Sequence, residues 1–219
     1  MARLPRLALP GFAHYVIQRG HNGQAVFVDA PDRDAYLGAI TAAAAAEPVQ
    51  LHAWALLDSE VQLLVTPSES GALSRLMQAL NRRYVSAFNR RHARSGTLWD
   101  GRFRAAVVEP GPLLLQALVM IDGAATPERT SAGHRLDGAQ ATWVVDPPEY
   151  WALGNTPFER EAAYRAMLSV GLPASTAAAL RSAALGGWAA GMAPARCATL
   201  EAGRPLRPRQ PGRPRVART

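Results

Sequence analysis

The chain has 219 residues, 48% of them apolar, which allows a domain of moderate size with a real core plus a smaller one. Its single cysteine, Cys197, excludes an internal disulfide, and no stretch approaches the roughly 18 apolar residues of a membrane span. The formal charge is +7 and all 24 basic residues are arginine, which points to a polyanionic partner, although a GC-rich genome yields the same excess of arginine and alanine.

At the N-terminus, Pro5 and Pro10 interrupt the leucines too early for a signal-peptide core, so the expected compartment is the cytoplasm. "HYVIQRG", residues 14–20, reads as a first strand. A turn at Asn22-Gly23 follows, and "AVFV" reads as a short extended return. A helix begins near Pro31, capped by Asp29 or Asp32, with Tyr36, Leu37 and Ile40 as its apolar stripe. "VQLHAWALL" and "EVQLLVTP" are two strands joined by Asp58-Ser59, an antiparallel hairpin.

The second of these strands is unusual. Glu60 and Gln62 sit two apart, so both point to one face of an otherwise apolar strand. Next comes the clearest helix, residues 71–96, with Leu73, Leu76, Leu80, Tyr84 and Phe88 at three- and four-residue spacing. Arg75, Arg82, Arg83 and Arg90 project elsewhere, and the helix has no acid four residues away to pair with them. "TLWDGRFRAAVVEP" reads as a strand, and a helix from Pro112 to Gly123 follows.

The order β-α-β-β-α-β-α makes an α+β fold: a ferredoxin-like split β-α-β core with an antiparallel sheet and helices on one face. The expected divisions are a core over residues 1–125, a connecting loop over 126–153, a small helical domain over 154–195 and a basic tail over 196–219. The helical part opens with a capping box, Thr156 and Glu159. Its closing stretch 202–219 is rich in arginine and proline without an acid, so the tail is expected to be extended and to bury nothing.

"LPRLALPGFAHYVIQRGHNGQAVF", "LSRLMQALNRRYVSAFNRRH", "GTLWDGRFRAAVVE" and the closing "PRQPGRPR" resemble the REP-associated tyrosine transposases, members of the HUH single-strand endonuclease group. The resemblance runs in order along almost the whole chain. It implies a ferredoxin-like core with a helical C-terminal extension and single-stranded or hairpin DNA as partner. In active members a histidine pair on a central strand holds Mg²⁺ or Mn²⁺, and a tyrosine on a later helix attacks the phosphate. Here Glu60 and Gln62 stand at the histidine positions. Matching the family's Arg-Tyr-Ile-Glu-Leu-Asn-Pro stretch through Ile121 and Asp122 sets Met120 at the tyrosine. A thioether cannot attack phosphorus, so no catalytic residue and no cofactor is expected.

The resemblance and the residues together give a DNA-binding protein that no longer cuts. Its expected contacts are Arg19, Asn22 and Gln24 in the "RGHNGQ" loop, and Arg75, Arg82, Arg83 and Arg90 on the long helix. Trp99, Arg102 and Arg104 are further candidates, Trp99 either as a stacking platform for an unpaired base or as core. Arg213 and Arg215 form a short minor-groove-like hook. Two alternatives stay open, an active transposase with unconventional residues and a transcriptional regulator. Glu60 and Gln62 offer Mg²⁺ two oxygens but need a third ligand from elsewhere; otherwise they serve hydrogen bonds.

Overall fold

The structure is a computed structural model that describes residues 6–136, 141–193 and 204–208. Strand β1 (His14–Arg19) leads through a single 3₁₀ turn to helix α1 (Ala30–Ala46), capped by the Asp29 side chain on the Asp32 N–H. Strands β2 (Val49–Leu57) and β3 (Glu60–Pro67) form the hairpin, with Leu57 opposite Glu60 across the two-residue turn. Helix α2 (Ala72–Arg91), strand β4 (Arg104–Val108) and helix α3 (Pro112–Asp122) follow. The order is then α4 (Ala132–Leu136), α5 (Pro148–Trp151), α6 (Pro157–Val170), α7 (Ala174–Gly186) and β5 (Ala189–Ala190).

The sheet runs β2-β3-β1-β4-β5, antiparallel except for the short β5 beside β4. Its first four strands have the ferredoxin-like order the element sequence predicts. Residues 25–28 add no strand to it. Val26 and Phe27 are instead tied by their N–H groups to the Asp58 carbonyl and buried among Tyr36 and Tyr84.

Each face of the sheet has its own core. Val16, Leu56, Val61, Leu63 and Val65 point toward α1 and α2, where Tyr36, Leu76, Leu80, Tyr84 and Phe88 meet them. Tyr15, Ile17, Leu64, Ala106 and Val108 point the other way, against Leu118 and Ile121 of α3, Tyr164 of α6 and Leu180 and Ala184 of α7. The alternation of a strand dictates this: a sheet apolar on both faces must be covered on both. A bulge in β2 between Leu51 and Ala53 keeps both sets in place. The extra residue, His52, uses its ring nitrogens on the Val145 carbonyl and the Thr66 hydroxyl.

Three divisions read from the sequence are corrected by this packing. The helices within 154–195 have no core of their own, because the sheet's second face needs them: α6 lies on α3 and α7 lies on β4 and β1. The stretch 126–153 is not a bare loop, since it carries α4, α5 and buried charges. Within the tail, residues 204–208 are packed. Leu206 is buried with Leu7, Leu9, Val107 and Met192, and its carbonyl accepts the Ala189 N–H at 2.8 Å. The rest of 194–219 lies outside the described residues. None of the helices among the described residues is long and apolar enough to cross a membrane.

His14 at the head of β1 is held as a neutral ring. Nδ1–H donates to the Phe12 carbonyl at 2.8 Å and Nε2 accepts the Leu9 N–H at 3.1 Å, which leaves no room for a second proton. Burial therefore pushes its pKa down to about 4 from 6.5. Between those values the unfolded chain binds more protons than the folded one. The His14 contribution is full above pH 6.5 and falls away as pH drops to 4, by about 3 kcal/mol. Urea midpoints across this window should show that loss, and His14→Gln should flatten it. An equally steep profile in the variant would assign the loss to other groups.

Candidate nucleic-acid interface

Glu60 and Gln62 lie on the α3–α7 face of β3, each only 7% exposed. Gln62 is opposite Ile17 on one side and Ala55 on the other, so its neighbours across the sheet offer no polar atoms of their own. Satisfaction comes from further away. The Tyr15 hydroxyl donates to Gln62 Oε1 at 2.9 Å, and Gln62 Nε2 donates to Glu60 Oε1 at 2.9 Å. From α7, Arg181 clasps the carboxylate with both terminal nitrogens, 2.7 Å to Oε1 and 2.5 Å to Oε2. This planar two-point grip is the geometry for which arginine is suited.

The donor set does not fit a divalent cation. Both Glu60 oxygens face a guanidinium and the Gln62 carbonyl oxygen is occupied by a phenol. A metal ion there would have to displace Arg181. Among the described residues, no group of three or more histidines, cysteines or acids could hold a metal. Burial, reinforced by the nearby Glu60 carboxylate, keeps the Tyr15 hydroxyl protonated well above its ordinary range. Met120 is half-buried against the second core. Tyr84 and Tyr164 are also committed, Tyr84 donating to the Val26 carbonyl and Tyr164 to Asp122 at 2.6 Å, while Tyr36 is fully buried in the first core.

The candidate DNA-contacting residues divide into several groups. Arg82, Arg83, Arg90, Arg102 and Arg104 are exposed and make no ion pair among the described residues. Arg19 is exposed, with Asp100 at a loose 3.9 Å, and Asn22 is exposed on the 3₁₀ turn with φ of 52°. Arg104 pairs with Ile17 and the Arg19 carbonyl accepts the Asp100 N–H. That register gathers Arg19, Arg102 and Arg104 at one end of the β1–β4 pair. At about 100° per residue, Arg83 and Arg90 share one side of α2 and Arg82 lies on the flank nearer Gln78.

Other expected contacts are corrected. Arg75 is neutralised by Glu47 at 2.7 Å and by Glu69, acids that lie off its own helix. Gln24 clamps its loop, donating to the Leu98 carbonyl at 3.1 Å and facing Arg94 with its oxygen. Trp99 is 5% exposed and packs between Tyr36 and Tyr84, so it belongs to the core and offers no face to a base. Arg213 and Arg215 lie outside the described residues.

Two functional groupings escaped the sequence reading. Arg181 is the single charge in an alanine-rich helix, and a lone charge on such a helix signals a buried partner. Asp122 closes an apolar helix and is fully enclosed, receiving Arg135 at 2.8 Å, Tyr164 at 2.6 Å and the Ser131 hydroxyl. Arg135 also lies 2.8 Å from Asp146 and reaches the His52 carbonyl, so one cation locks α3, α4, β2 and the 141–146 segment together. Its own charge is reinforced by those carboxylates despite burial.

No family model and no curated protein matches this chain. Among solved structures, a REP-associated tyrosine transposase bound to a REP hairpin matches with a TM-score of 0.47 and 15% identity, over 55% of this chain and 70% of the other. A candidate transposase from Deinococcus radiodurans matches with a TM-score of 0.39 and 22% identity, over 50% and 88%.

Replacing Arg181 by Met would strand the Glu60 carboxylate without its counter-ion. Because Arg181 is itself 41% exposed, the expected cost is about 2–3 kcal/mol, at the lower end for a broken buried pair. The double variant Glu60→Gln/Arg181→Met should recover much of it. Urea unfolding measures both. A single-variant loss below about 0.5 kcal/mol would show that the pair carries no structural weight.

Proposed function

We propose that this chain binds DNA, hairpin or single-stranded, and leaves the phosphodiester intact. Binding rests on a set of exposed arginines: Arg102 and Arg104 at the end of β1–β4 and Arg82, Arg83 and Arg90 on α2, none with an acid partner among the described residues, and Arg19, which Asp100 holds only loosely at 3.9 Å. Desolvating such a cation costs less when a phosphate oxygen replaces its water, and each phosphate bound releases a condensed counter-ion. The reading that it does not cleave is supported by one observation, the Arg181 guanidinium clasping Glu60. A resident cation holds the carboxylate, and no described tyrosine on α3 faces it as a nucleophile. The reading requires no divalent cation.

Two measurements test this. Affinity for a hairpin oligonucleotide with an unpaired flank should fall steeply with salt, and Arg82→Ala/Arg83→Ala should reduce the log–log slope by about one to two, near 0.7–0.9 for each phosphate that is no longer neutralised. Fluorescence anisotropy from 50 to 300 mM NaCl, roughly the range over which such slopes are read, provides it. An unchanged slope removes α2 from the interface. Incubation of the same oligonucleotide with Mg²⁺ or Mn²⁺, followed by denaturing electrophoresis, should give no protein–DNA adduct and no shortened strand. A covalent band would establish the active transposase instead.

A further inference from the structure

A groove of about 380 Å³ opens between α2 and the loop leading into β4. That volume lies within the roughly 300–1,000 Å³ of small-molecule sites. Met77 and Phe103 form its floor, Gln78 and Asn81 stand on its helical wall, and Arg6 and Arg102 line the opposite side. No acid lines it. The Arg6 guanidinium carbon lies 4.0 Å from the centre of the Phe103 ring, so a flat cation is already layered on an aromatic face. The Asn81 Oδ1 atom is buried and has no hydrogen-bond partner among the described residues.

We infer that this groove is a slot for one unpaired nucleobase of single-stranded DNA, with adenine preferred. The inference deepens the DNA-binding reading and rests on it for its biological setting. A base is planar, so it stacks on the Phe103–Arg6 layer as bases stack on rings and guanidinium planes. An amide side chain offers an acceptor and a donor together, which matches the N6 donor and N7 acceptor of adenine. The orphaned Asn81 oxygen gains the partner it lacks, and an unmade bond at a buried acceptor is worth more than the average hydrogen bond. Phosphates on either side of the base meet Arg102 at the groove and Arg82, one turn along α2 from Gln78. Gln78 and Asn81 thus read one base while the arginines hold the backbone.

Two assays separate the slot from the wider reading. The first titrates the intact protein with each of the four deoxynucleoside monophosphates and follows the side-chain amide resonances of Gln78 and Asn81. dAMP should shift both with a Kd of about 1 mM, and the others more weakly. If no mononucleotide moves either amide at ten times that concentration, the slot is refuted, whatever the protein does with longer DNA. The second compares single-stranded oligonucleotides that carry one adenine, or one cytosine in its place, within an abasic tract. The native chain should prefer adenine by about fivefold or more, and Asn81→Leu should abolish the preference while leaving the salt slope unchanged. Binding with no base preference in the native chain overturns the slot and spares the DNA reading. Amide shifts with dAMP but no binding of any oligonucleotide does the reverse. Circular dichroism of Asn81→Leu, together with Gln78→Ala at the exposed position, guards against loss through misfolding.

Discussion

A guanidinium on the last long helix grips a carboxylate at the start of a central strand, and the organisation of the molecule depends on that contact. Glu60 is nearly buried, and an isolated carboxylate in such a position is too costly to keep ionised. Arg181 makes the position tenable, Gln62 fills one remaining lone pair, and Tyr15 completes the chain of donors. The contact fixes α7 against β1 and β4, which in turn gives the second face of the sheet its cover.

Arginine therefore serves two purposes in this chain, and the difference lies in its partners. Arg75, Arg91, Arg135 and Arg181 are tied to acids that are remote in sequence, and join elements that would otherwise share only apolar contacts. Arg91 at the end of α2 binds Asp29 and Asp32 at the start of α1, closing the outer layer, while Arg135 closes the inner one. Arg102 and Arg104 at one end of β1–β4, and Arg82, Arg83 and Arg90 along α2, are exposed and have no acid partner among the described residues. A net charge of +7 spread evenly would make a weak, diffuse attractor; sorted in this way it leaves a localised basic patch.

Much of the fold was legible in the sequence because it is encoded locally. The hairpin turn at Asp58-Ser59, the Asp29 cap, the Thr156–Glu159 capping box and the apolar stripe of α2 each depend on residues within a few positions of one another. What escaped is non-local. Arg181 lies 121 residues from Glu60, and Glu47 reaches Arg75 across 28 residues, so neither pairing leaves a spacing to read. The sequence leaves Trp99 open between a stacking platform and the core, because arginines lie close to it in sequence; its backbone bridges Gly20 and its ring turns inward onto Tyr36, which places it in the core. The C-terminal helices looked like a unit because their stripes are apolar; that the sheet had a second bare face to be covered is a property of the assembled strands. The polar pair on β3 was visible, but its partner was not.

The claim at the centre of this account is that Arg181, and not a metal ion, neutralises Glu60. Crystals of the protein soaked in MnCl₂ test it directly through the anomalous scattering of manganese. The account predicts no anomalous peak between Glu60 and Gln62, and electron density for the Arg181 guanidinium seated on the carboxylate. A manganese peak coordinated by Glu60 and Gln62, with Arg181 swung away, would contradict it.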